Sequence, residues 1–182
     1  MQEAQRSGLL NLSHHNVADA KDVAGRHVFG SDRRFRPAHA TDDLGYSAFL
    51  QLNAHHYHRY AYARLETATT AEMAVASAMH AIGAGWPAML RQRKPAASAW
   101  CVLQERIAAL RTSPDSLTDR LYEYCPAQAA DIAVLRLCLR LPNTAAADLL
   151  GVDVPFAEVG LRTAERLLPS WVLEQLKEGI PH

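Results

Sequence analysis

This 182-residue chain lacks a charge surplus, a cysteine framework, a long apolar run and a catalytic signature. Nineteen Lys and Arg balance nineteen Asp and Glu. Whole-chain charge therefore gives no sign of the basic excess that proteins neutralising phosphates usually carry. The three cysteines, Cys101, Cys125 and Cys138, are odd in number and have no CxxC spacing. That argues against a disulfide or zinc framework and fits reduced, mostly buried thiols in a cytoplasmic protein. No apolar stretch reaches the ~18 residues a membrane helix needs, and the N-terminus has no signal-peptide apolar core. A cytoplasmic chain with no membrane partner is expected. GxSxG, HExxH, P-loop and Gly-rich phosphate-loop patterns are all missing, so neither an enzyme nor a cofactor is expected.

What is present is a core and a charge asymmetry. Apolar residues make up 49% and charged residues 21% of the chain, as in a soluble globular protein. Residues 21–111 hold twelve basic against seven acidic side chains, a net of +5; residues 118–182 hold six against nine, a net of −3.

Residues 1–43 show no sustained periodicity and read as irregular, with one short helix around 18–26. From Gly45, Phe49, Leu52, His56, Tyr60 and Ala63 recur at three- and four-residue steps, predicting an amphipathic helix. "TTAE", Thr69 to Glu72, offers a capping box for a second helix running to about Leu90. Its small residues Ala74, Ala76, Ala78 and Ala81 would let neighbouring helices approach closely. "RQRKP" breaks that helix, and Trp100, Leu103, Ile107 and Leu110 then share one face of a third. "TSPDS" reads as a linker over 113–117. Helices are then predicted over 117–124, 127–141, 144–150 and 156–177, the last broken at Pro169. The expectation is an all-α chain in two small bundles, 44–112 and 118–182, the second ending in a helix-turn-helix.

The order of these units resembles the two domains of bacterial sigma factors of the extracytoplasmic-function group. Cys125–Pro126, Asp131–Ile132, Leu135–Arg136 and the run Ala147, Asp148, Leu149, Leu150, Gly151 carry the likeness in the second half. Leu161, Ala164 and Leu167 continue it into the last helix of the motif. In the first half Phe49, Leu52, His55, Arg64–Leu65, Ala71–Glu72, Val75, Ala99–Trp100 and Arg106 carry it more loosely. The resemblance implies a regulator that engages core RNA polymerase, or another transcription protein, and duplex promoter DNA. Arg91, Arg93, Lys94 and Arg106 would contact phosphates from the first unit, and Arg162 and Arg166 from the second.

Contact positions depart from the family pattern where framework positions do not. Met73, Ala76 and Ser77 replace polar groups that would grip polymerase, leaving Glu72. Ile107 replaces the polar residue expected beside the melted promoter strand. Pro155, Phe156, Glu158, Val159 and Gly160 occupy the reading face, where donors are needed for base edges. Two uses of that face follow. Arg162 and Arg166 could bind phosphates, or pair with Glu158, Glu165 or a partner as on a solvated helix. Phe156, Glu158 and Val159 would then serve a protein partner, with Glu72 on the first unit, unless Phe156 or Val159 is core. A small-molecule site between the two units is a further alternative. "HHYHRYAYAR" sets His55 and His58 one turn apart without a third ligand, so a packed or solvated face is favoured over metal. Its tyrosines are read as core rather than as a stacking platform for bases.

Overall fold

The computed structural model describes residues 38–111 and 116–178, with side chains from Leu44 onward. Among these residues the chain is all-α, without strands. In chain order the helices are α1 (Ala38–Leu65), α2 (Ala68–Met89), α3 (Pro95–Leu110), α4 (Leu117–Tyr124) and α5 (Ala127–Ala133). A π-helical turn (Val134–Cys138) follows, then α6 (Asn143–Leu150), α7 (Val154–Leu167) and α8 (Ser170–Glu178). The short helix expected around 18–26 lies outside the described residues. Helix α1 begins at Ala38, so the last residues of the segment read as irregular are helical.

Local chemistry explains most boundaries. Helix α2 is rich in alanine, the strongest helix former. Its N-cap is Thr67, not Thr69: Thr67 and Thr70 join their hydroxyls, so the expected capping box does not form. Ser116 caps α4 by accepting from the Asp119 N–H at 3.1 Å. Pro169 separates α7 from α8 as expected, because it cannot continue the ladder.

Helices from both sides of residues 113–117 contribute to one core within the unit Pro37–His182. α1 packs on α2, α2 on α3, α5 on α7, and α3 on α6. Tyr57, Tyr60, Ile82, Leu103, Ile107, Leu121, Ile132, Leu135 and Leu176 are fully buried at its centre. Trp100 stacks near Tyr60, with ring centroids 4.5 Å apart. Tyr57 and Tyr60 are therefore core, while Tyr62 is half-buried.

Two residues depart from the periodic reading, whereas Ile107 follows it. Leu52 is 72% exposed, because α1 turns that side away from α2. Ala76 is exposed, and Ala74 and Ala78 make the close approach instead. Ile107 is fully buried, so its apolar side chain belongs to the core and not to a nucleic-acid face.

Candidate interaction surface

A buried polar cluster fixes the frame on which the surface rests. Asp131 of α5 accepts from Tyr60 (2.6 Å) and Gln104 (2.7 Å) on Oδ1, from Trp100 (3.1 Å) on Oδ2, and from the Tyr122 hydroxyl. Arg64 donates to Tyr60 at 3.1 Å, to Tyr122, and to Asp119 at 3.3 Å. Burial, followed by neighbouring charges, pushes the Tyr60 and Tyr122 hydroxyls well above their ordinary value. Both stay protonated and donate. The cluster ties α1, α3, α4 and α5 together, since a buried carboxylate needs every donor it can gather. Arg64, Trp100 and Asp131, three residues quoted for the resemblance, meet here as structural groups.

On this frame α6 and α7 are joined by a tight turn. Gly151 has φ +62, the Gly151 N–H donates to Asp148 at 3.2 Å and the Val152 N–H to Ala147 at 3.0 Å. These two bonds form a Schellman cap, for which glycine is the natural residue. A Cβ on Gly151 would also lie 2.4 Å from the Ala97 nitrogen. The turn is thus pressed against the first turn of α3. The connection before α3 carries Arg91, Arg93 and Lys94, all exposed, so this basic run borders the α6–α7 turn. The sequence offered no signal for that neighbourhood.

Helix α7 presents Pro155, Val159, Arg162 and Arg166 along one exposed stripe. Phe156 (48% exposed) and Val159 (54%) are both surface residues, so neither is core. Gly160 does not belong to the reading face. A Cβ there would sit 2.4 Å from Ile132 Cδ1, because α7 crosses α5 at this point. Its small size serves packing. Leu167 is 43% exposed, and Leu168 takes the buried position. The ion pairs among the described residues are Arg64–Asp119 and Arg111–Asp119. Arg162 and Arg166 therefore do not pair with Glu158 or Glu165. Glu158 instead accepts from the Asn143 amide at 3.4 Å and leans toward α6.

The other expected site residues scatter. Arg106 is half-buried on α3, with its Nε buried and without a protein partner. Glu72 is exposed on α2 and lines a cavity of about 510 Å³ with His55, His58, Arg59 and Arg140. A second cavity, about 290 Å³, runs between α3, α5 and the start of α7, and Phe156 lines it with Trp100, Gln104 and Ile132. No group of three or more metal-capable side chains gathers among the described residues. Nor is any described helix long and apolar enough to cross a membrane. No family model, curated protein or solved structure matches this chain.

Proposed function

We propose that this chain is a sigma-factor-like regulator of transcription that engages RNA polymerase, promoter DNA or both. In this reading α6 and α7 act as a helix-turn-helix, with Arg162 and Arg166 on phosphates. Arg91, Arg93 and Lys94, in the connection before α3, and Arg106 of α3 would supply further phosphate contacts. The observation that carries the reading is the docking of the Gly151 turn on α3, which sets the basic run beside the α6–α7 pair. Two arginines at i, i+4 without acidic partners support it, because free guanidinium donors suit phosphate oxygens.

The test is binding of the purified chain to core RNA polymerase and, separately, to duplex DNA across a salt series. Each phosphate contact contributes about 0.9 to the slope of log K against log salt. Replacing both Arg162 and Arg166 with Ala should lower that slope by about 2. Promoter-dependent initiation with polymerase would support a working sigma factor. DNA binding without polymerase would indicate a repurposed regulator.

A second reading rests on Phe156 and Val159, which are apolar, exposed and next to a cavity. In it the sigma-like frame has lost promoter readout and acts through protein contacts, as co-regulator, decoy or dimerising module. Polymerase binding that survives loss of both arginines and fails in Phe156→Ala would favour this reading.

A further inference from the structure

The larger cavity has a built polar end that the transcription reading leaves unused. Its volume, about 510 Å³, falls in the range of small-molecule sites. Tyr62, Ala63, Ala68, Ala71 and Leu139 give it apolar walls. Arg59 of α1 donates to the Leu139 carbonyl at 3.0 Å, and Arg140 donates to the Lys177 carbonyl at 2.8 Å. Each guanidinium is thus oriented by the backbone and keeps further N–H donors. Neither takes part in an ion pair among the described residues.

Backbone geometry at Arg140 is independent support. Arg140 has φ +56, a left-handed conformation that costs an L side chain energy and is usually left to glycine. It lies two residues beyond the π-helical turn Val134–Cys138, a local geometry that gathers at functional sites. An arginine thus stands at the cavity in a conformation that glycine adopts at lower cost.

We propose that this cavity binds a small monocarboxylate with an apolar body, its carboxylate held by Arg59 and Arg140. A planar guanidinium matches a carboxylate bidentately, and the alanine, leucine and tyrosine walls suit an alkyl or aromatic body. Glu72 and Glu178 stand on the same lining. Their charge repels phosphate and other polyanions more strongly than it repels a single carboxylate. The site does not depend on how α7 is used.

Calorimetric titration of the full chain with benzoate, hexanoate and inorganic phosphate tests the site. At least one carboxylate should bind with a Kd of about 1 mM or tighter, and phosphate at least about tenfold more weakly. Arg140→Gly should weaken carboxylate binding about tenfold or more, with the unfolding temperature unchanged or raised, because glycine suits that φ. Arg59→Gln is the second variant and should weaken binding similarly. Failure of both carboxylates to bind, binding unaltered in both variants, or phosphate binding as tight as carboxylate would overturn the proposal.

Discussion

The Asp131 cluster and the outer face of α7 treat uncommon residues in opposite ways. Around Asp131, groups costly to bury are brought inside and satisfied by four donors from three helices. On α7, Phe156 and Val159 stay about half exposed, and Arg162 and Arg166 stay outside without an acidic partner. Internal bonding accounts for the first set. Nothing internal accounts for the second, so α7 is the place to look for an external partner.

The sharpest way to break this contrast is Asp131→Ala. It leaves Tyr60, Tyr122, Gln104 and Trp100 without their acceptor, and the expected loss is on the order of 3–5 kcal/mol by chemical denaturation. Asp131→Asn should cost less, since an amide oxygen can replace Oδ1, and the remaining cost comes from its NH₂ meeting the Trp100 N–H donor to donor. A loss below about 1 kcal/mol in the alanine variant would show that the donors find other acceptors.

Next comes the joint between the regions. Gly151→Ala should cost about 1–3 kcal/mol, combining a left-handed alanine with a clash against the Ala97 backbone. Gly160→Ala meets only the end of the Ile132 side chain, and the gain in helix propensity, about 1 kcal/mol, offsets part of that clash. Trimming the neighbour should reveal the coupling: Gly160→Ala should be more favourable in an Ile132→Val background than alone.

His56 lies between the two cases, half-buried, with a partnerless Nδ1. Burial first, then the charges of His55 and Arg59, lower its pKa below 6.5 in the folded state. The unfolded chain therefore takes up the proton first, and stability falls as pH drops through 6.5 toward the lower folded value. The effect should be small, and His56→Gln should remove that part of the acid-induced fall in Tm.

The smallest stability effects belong to α7. Phe156→Ala, Val159→Ala, Arg162→Ala and Arg166→Ala should each stay within about 0.5 kcal/mol of the parent chain in denaturation. Their effect should appear in binding. A stability loss well above that in Phe156→Ala would make it a structural residue and weaken the contrast.

Local rules made several elements legible. The glycine after Leu150 and the proline at 169 each mark a helix end within a few residues, because capping and ring closure act over short chain distances. Periodicity misplaced Leu52 and Ala76, since it identifies a face but not how wide a stripe the neighbour covers. Gly160 read as a lost contact residue, because a glycine in a helix carries no sign of what crosses it. Of the candidate site, the exposed arginines and Phe156 were nameable from the chain. The cavity with Arg59 and Arg140 was not, as its walls come from residues more than seventy positions apart.

By itself the sequence determined an all-α chain, the approximate helix ends, the buried tyrosines and the composition of α7. These follow from propensity, capping and burial preference, which operate along the chain. Only the tertiary structure decided that Asp131 gathers donors from Tyr60, Trp100, Gln104 and Tyr122. It alone decided that the basic run borders the Gly151 turn and that a left-handed arginine faces a cavity. Those outcomes depend on which distant side chains meet. That is settled by packing volume and by the need to satisfy buried polar groups, neither of which local pattern encodes.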